Sequence, residues 1–267
     1  MPTLWHLTLR AAHPVRRQVT PAQLHGLACT LLEEPRHDHH AADKPWSVSP
    51  LFAASEPQTA VLRIGWLDDT HNLQDIFEEG RELRLGTQHF VLTEAAAEHA
   101  PYEALLAAGP ATHAELHAVT PTYFSRNGTQ YPLPDPHLLY GSLARRWNTH
   151  APQHLNIPDT ALREMRTHLA LSSHDIATQP VHLATTALRT GYTGHCTFTL
   201  TGTPPPAVFA TFTALSLYAH TAGIGAQTTH GCGHTQVAVT AQPRRPPRPP
   251  IPARRVSPGQ RQEEDAE

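Results

Sequence analysis

From Leu4 onward the period of the apolar residues changes repeatedly, and the order of those changes limits the folds open to the chain. Trp5, Leu7 and Leu9 alternate, which is the period of a strand with one buried face. Thr20-Pro21 then reads as an N-cap followed by proline at the first helical position. Leu24, Leu27, Ala28, Leu31 and Leu32 recur at helical spacing until Pro35 ends the run. Residues 46–52 and 60–67 predict two further strands, 73–80 a second helix, and 83–92 one or two more strands. Strand–helix–strand–strand–helix–strand is the split βαβ, or ferredoxin-like, plan.

A second round begins near Ala118. Residues 118–124 predict a strand, the proline-rich YPLPDPHLL a turn, and 139–148 and 159–169 two helices. Strands are expected at 181–188 and 195–201, a helix at 207–221, then a glycine-rich loop and a last strand at 235–240. The expected fold is therefore α+β: two tandem ferredoxin-like (RRM-like) βαββαβ domains, 1–117 and 118–240, with a glycine-rich loop before the last strand. No literal repeat accompanies this duplication. From residue 241 to 267 the chain is rich in proline and arginine and nearly without apolar residues, so it is expected to stay a disordered, solvated tail.

Composition narrows the function classes. Of 267 residues 39% are hydrophobic, enough for a core, and only 16% are charged. The 21 histidines outnumber the 20 lysines and arginines, and the formal net charge is -3, so the chain is not a globally basic nucleic-acid binder. A basic groove remains compatible with that total, because binding depends on the local field. The cysteines, Cys29, Cys196 and Cys232, are odd in number and widely spaced, which gives no disulfide framework. The opening MPTLWHLTLR is neither a signal peptide nor a membrane span, so a cytoplasmic protein without membrane contact is expected.

The glycine-rich segment runs from Gly223 to His234, with glycines also at 225, 231 and 233. Repeated glycine permits positive φ and close backbone approach to a ligand, and successive N–H groups can hold a phosphate. A dinucleotide fold needs such a motif after its first strand and opening a helix, whereas here it follows a helix and precedes the final strand. No Gly-Lys-Ser/Thr is present for a Walker loop. His230, Cys232 and His234 alternate, but this is not a usual zinc spacing, and no metal is expected. A tight helix-to-strand connection is the alternative reading of the glycines.

Three segments together resemble the CRISPR repeat-processing endoribonucleases, the "Cas six" family of the RAMP superfamily. GIGAQTTHGCG resembles that family's late glycine-rich loop. TPTYFSRNGTQYPLPDPHLLYGSLARRWN resembles the opening of its second half. The histidine-bearing loop followed by KPWSVSPL resembles its His…Lys-Pro-aromatic-x-x-Ser-Pro-Leu. The segments occur in the family's order, between residues 37 and 237. Gln227 stands where a basic residue is common, and Cys232 where an aromatic is. The resemblance implies tandem ferredoxin-like domains and binding of CRISPR repeat RNA (pre-crRNA). It also implies cleavage without metal or other cofactor that leaves a 2′,3′-cyclic phosphate on the guide RNA. Other CRISPR effector subunits and a second copy of the chain are possible partners.

Cleavage by the RNA's own 2′-hydroxyl requires loss of the hydroxyl proton, stabilisation of the phosphorane charge and protonation of the leaving 5′-oxygen. Histidine titrates near neutrality and can perform either transfer, and a cation with backbone N–H groups can stabilise the charge. The candidates are His37, His39 and His40, with Lys44 as the cation. His37 has the family-like His-Asp step, and His40 lies nearer Lys44 in sequence. In a chain this rich in histidine, a plain surface loop is the competing reading.

For RNA grip the candidates are Arg126, Arg145 and Arg146, since arginine suits phosphate through its bidentate fork. Gly223, Gly225, Gln227, Thr228, Gly231 and Gly233 are the candidates from the glycine-rich loop. Trp147 can stack on a base or sit in the core. Two other functions compete with the ribonuclease: a repeat-RNA-binding subunit that does not cut, and a ferredoxin-like small-molecule or metal-binding protein.

Overall fold

The computed structural model describes residues 1–16, 19–32, 44–68, 73–183 and 188–241. The chain begins with β1 (Thr3–Ala11), α1 (Pro21–Leu32), β2 (Trp46–Val48), β3 (Phe52–Ala53) and β4 (Thr59–Trp66). β5 (Glu82–Leu85) and β6 (Gln88–His99) follow. They form one antiparallel sheet in the order β2-β4-β1-β6-β5, with the short β3 paired to β4. The crossing that brings the last strand beside the first is that of the ferredoxin-like plan.

Local chemistry explains the start of α1. Gln23 N–H donates to Thr20 Oγ1 (3.3 Å) and Thr20 N–H to Gln23 Oε1 (2.9 Å), a reciprocal capping box. The buried face of α1 (Leu24, Leu27, Ala28, Leu31, Leu32) covers Trp5, Leu7 and Leu9 of β1 and Leu62 and Ile64 of β4.

The helix expected at 73–80 is a single 3-10 turn, Gln74–Ile76. Gly80 follows at φ +86°, and Arg81 donates to Ile76 O (2.6 Å), closing the turn before helical hydrogen bonding can propagate. Phe77 nevertheless fills the helix's place, edge-on to Trp5 at 5.1 Å. The strand expected at 46–52 is divided into β2 and β3: Ser49 N–H still donates to Arg63 O (2.9 Å), but Arg63 N–H donates to the Ser49 hydroxyl (2.8 Å) in place of a backbone carbonyl.

The second half comprises α2 (Tyr102–Leu106), β7 (His113–Thr122), β8 (Phe124–Arg126), β9 (Thr129–Tyr131), α3 (Pro136–His150) and α4 (Asp159–His168). These are followed by β10 (Leu169–His182), β11 (Leu188–Leu200), α5 (Pro206–Ala222) and β12 (Thr235–Thr240). Its sheet runs β10-β11-β7-β12, all antiparallel, again the ferredoxin-like order. Asp135 caps α3 by accepting Leu138 N–H at 2.9 Å, with Pro136 at the first helical position.

The expected strand at 181–188 is not a strand of its own. Its start belongs to β10, which begins at Leu169 and pairs along its length with β11. Trp147 is fully buried: its indole donates to Leu155 O (2.9 Å) and its ring meets Tyr102 and Tyr218 edge-on. Among the described residues no helix is long and apolar enough to cross a membrane. Apart from Ala241, the expected tail lies outside the described residues.

Candidate active site

The two sheets meet where the end of α5 abuts β2 and β4. Ser47 Oγ donates to Thr221 O (2.6 Å), and a Cβ on Gly65 would collide with that same carbonyl. Arg146 reaches across from α3 and donates to Ala222 O and to Trp46 O. It is thus turned inward as a tie between the halves, whereas Arg145, on the next position of α3, is exposed. Arg126 is exposed on the β8–β9 hairpin, whose Asn127-Gly128 turn takes φ +51° and +75°.

The glycine-rich segment leaves α5 at this junction. Gly223, Gly225, Gly231 and Gly233 all have positive φ, between +67° and +85°. A side chain on Gly233 would collide with Ile224 O, and one on Gly231 would come within 2.7 Å of Leu24 on α1. Those two glycines therefore serve close packing. Gln227 adopts the left-handed conformation (φ +61°), and its carbonyl accepts N–H from His230 (2.9 Å) and Cys232 (3.2 Å). Gln227 is exposed and Thr228 buried. The N–H groups of Gly225 and Gln227 have no acceptor among the described residues.

Against this loop stands a cluster gathered from opposite ends of the sequence. The His25 ring on α1 stacks on His230 at 3.9 Å with an interplanar angle of 6°. Its Nδ1 is 3.2 Å from Thr229 O, and its Nε2 is 3.4 Å from Cys29 Sγ. Lys44 Nζ lies 3.9 Å from that thiol and 5.1 Å from the centre of the Trp46 ring. Burial lowers the pKa of His25, and Lys44 adds to the effect. Burial, then His25, then Lys44 bring His230 down to about 4. Burial pushes the Cys29 thiol up against the opposing pull of Lys44. At neutral pH the cluster thus holds two uncharged imidazoles beside the Lys44 side chain.

Of the catalytic candidates, His37, His39 and His40 lie outside the described residues, in the segment joining Leu32 to Lys44. Lys44, the expected cation, lies immediately before β2, whereas sequence reading gave His25 no role. The signal was weak, because His25 sits one position from the buried stripe of α1 and only the fold brings it to His230. The alternating His230, Cys232 and His234 diverge. His230 meets His25, buried Cys232 packs beside Tyr123, and buried His234 faces Phe52 at 5.3 Å. Among the described residues no group of three or more His, Cys, Asp or Glu is placed to hold a metal ion.

Comparisons with known proteins agree with this architecture. The family model described as CRISPR-associated endoribonuclease Cas6 matches residues 116–235, which include β7, α3, α5 and the glycine-rich segment. A Cas6 product complex is 25% identical with a TM-score of 0.75, over 89% of this chain and 100% of that one. The Thermus thermophilus Cas6 structure is 25% identical with a TM-score of 0.69, over 89% and 98%. A Cas6 substrate mimic complex shares the fold at 22% identity and a TM-score of 0.70, over 88% and 99%. A search of curated proteins finds no match. With its paired ferredoxin-like sheets and the glycine-rich connection between α5 and β12, the chain is similar in fold to Cas6 structures and, over residues 116–235, matches the family model of the CRISPR-associated endoribonuclease Cas6.

Proposed function

We propose that this protein cuts CRISPR repeat RNA without a metal, by attack of the RNA's 2′-hydroxyl on the adjacent phosphorus, at the junction of the two halves. The observation that carries this reading is the convergence of Lys44 and His25 with Thr229 and His230 in the middle of the glycine-rich segment, more than 180 positions further along the sequence. Lys44 follows His37, His39 and His40 within seven residues of sequence, and we take one of those histidines as its catalytic partner. The complexes of Cas6 structures with a product and with a substrate mimic support an RNA-processing role. We further read the chain as two domains, expected at 1–117 and 118–240, the second taking in α2 and the whole of β7, and their junction as the site.

In this mechanism a histidine of the 37–40 segment takes the 2′-hydroxyl proton or protonates the departing 5′-oxygen. The new P–O2′ bond forms as the P–O5′ bond breaks, giving a 2′,3′-cyclic phosphate and a free 5′-hydroxyl. Lys44 and the unbonded N–H of Gln227 stabilise the charge that develops on the phosphorane. The nucleophile belongs to the RNA, so the chemistry has no need of a metal to generate one. Arg126 and Arg145 face solvent and grip phosphate, and Arg146 holds the two halves together.

The test is incubation of the purified protein with its host's repeat RNA in EDTA, beside a variant with His37, His39 and His40 changed to alanine. A single cut by the wild type alone, ending in a cyclic phosphate, is expected. Lys44→Ala is expected to slow single-turnover cleavage about 100-fold while leaving the thermal midpoint nearly unchanged. Tight binding without a cut by the wild type would instead assign the chain to non-cleaving repeat-RNA binding.

A further inference from the structure

A second concavity, of about 280 Å³, opens on the outer side of α3 and is lined by residues including Ser125, His137, Ser142, Arg145, Arg166 and Gly225. The volume is at the small end of ligand sites, roughly 300–1,000 Å³, which suits one compact group rather than an extended ligand. No aspartate or glutamate lines it. Neither Arg145 nor Arg166 has an ion-pair partner among the described residues. Two guanidiniums thus share one small cavity with no carboxylate to offset them.

Arg166 is held there by a specific feature of α3. Gly141 lies in the interior of that helix, where glycine costs about 1 kcal/mol relative to alanine. The space it leaves is used, because a Cβ at 141 would stand 2.7 Å from Arg166 Nη2. The guanidinium therefore crosses from α4 over the bare backbone of α3. Its Nε is buried and has no hydrogen-bond partner among the described residues. A buried donor without a partner is costly, and a bound anion would satisfy it. Gly225, whose N–H also lacks an acceptor, forms another wall of the cavity. Its backbone is fixed by the neighbouring bond from Ala226 N–H to Tyr123 O (2.8 Å). Donors on three elements thus line one cavity: Arg145 of α3, Arg166 of α4, and the Gly225 N–H, while the Ser142 hydroxyl donates to Leu139 O (2.8 Å).

We propose that this cavity is a subsite for one backbone phosphate of bound RNA, held by Arg145, Arg166 and the Gly225 N–H. It rests on the repeat-RNA reading above and adds Arg166, Gly141 and Ser142 to the binding surface, on the face of α3 away from the buried core. The guanidinium fork matches a phosphodiester's two unbridged oxygens, and a subsite of this kind positions the RNA without reading its sequence.

The experiment is titration of labelled, uncleavable repeat RNA (2′-deoxy at the scissile nucleotide) over a series of salt concentrations, for the wild type and for Arg166→Ala, Arg166→Lys and Gly141→Ala. Cleavage of the unmodified RNA by the wild type is measured in parallel. Arg166→Ala is expected to raise Kd about tenfold and to make the slope of log affinity against log salt shallower by about 0.7–0.9. Arg166→Lys is expected to recover most of the salt slope but only part of the affinity, since it keeps the charge and loses the fork. Gly141→Ala is the decisive variant. It displaces the guanidinium yet favours the helix, so binding should weaken while the thermal midpoint holds or rises. Unchanged Kd and slope in all three, with a wild type that binds and cuts, would overturn the phosphate subsite and leave the endoribonuclease reading standing. A wild type that neither binds nor cuts repeat RNA would overturn both. Adenosine 5′-monophosphate competing at concentrations near the RNA's own Kd would make this a small-molecule site and overturn the proposal as well.

Discussion

The two halves share one strand order but cover their sheets differently. In the second half three helices, α3, α4 and α5, pack on one face around Trp147, Tyr140, Phe212 and Tyr218, each fully buried. The opposite face of that sheet is polar, with His117 stacked on His195 at 4.1 Å and His195 Nδ1 3.3 Å from Glu115. Among the described residues of the first half only α1 is a full helix, and a 3-10 turn with Phe77 stands in place of the second. The other face of that sheet is not left to solvent. His6, Arg63, Gly65 and Ser47 turn toward the end of α5 and the start of β12. The plan therefore tolerates the loss of a helix where a loop residue can bury an aromatic in its place. The more loosely built half is also the one that carries the histidine segment and Lys44, while the helix-rich half supplies the rigid glycine-rich loop and the arginines.

The largest test of that contrast is Trp147→Ala, expected to cost about 3–5 kcal/mol because the ring is fully enclosed and its N–H is bonded; the urea midpoint measures it. A loss under about 1 kcal/mol would mean that the second half is not the firmer one. Gly65→Ala should follow, at about 1–3 kcal/mol, because the added Cβ meets Thr221 O and wedges the halves apart. RNA cleavage should fall with it, and unaltered cleavage would show that the junction is not the site.

Acidification strains the same junction. Burial, with Arg63, His220 and His6 nearby, brings the His234 pKa down to about 3, while the unfolded chain takes a proton near 6.5. The unfolded state therefore binds more protons across that window, so stability is full above pH 6.5 and falls as the pH drops toward 3. Between pH 7 and 5 the loss from His234 should be about 2 kcal/mol. Thermal unfolding of His234→Gln should show a correspondingly flatter pH profile. Smallest is Ser47→Ala, about 1 kcal/mol, through the single bond to Thr221 O.

Particular elements show where reading the sequence succeeds. α1 was legible because its cap, its proline and its apolar stripe agree. β12 was legible at 235–240 because it alternates between a glycine-rich boundary and a polar tail. The start of α3 at Pro136 was also written in Asp135-Pro136, though the periodicity alone placed it at Leu139. β10 was not legible. From Ser172 to Pro180 it is mostly polar and exposed, so no apolar alternation marks it, and only its pairing with β11 makes it a strand. The helix expected at 73–80 failed for the opposite reason: Leu73, Ile76 and Phe77 have helical spacing, but Gly80 and Arg81 close the chain after one turn.

The order of elements, the caps, the glycine-rich segment and the pairing of Lys44 with a histidine-rich loop were determined by the sequence itself, because each rests on neighbours within a few residues. The stacking of His25 on His230, the inward turn of Arg146 and the seating of Arg166 over Gly141 were decided only by tertiary structure. Each joins residues of different elements, and local periodicity carries no record of which side chains packing will bring together.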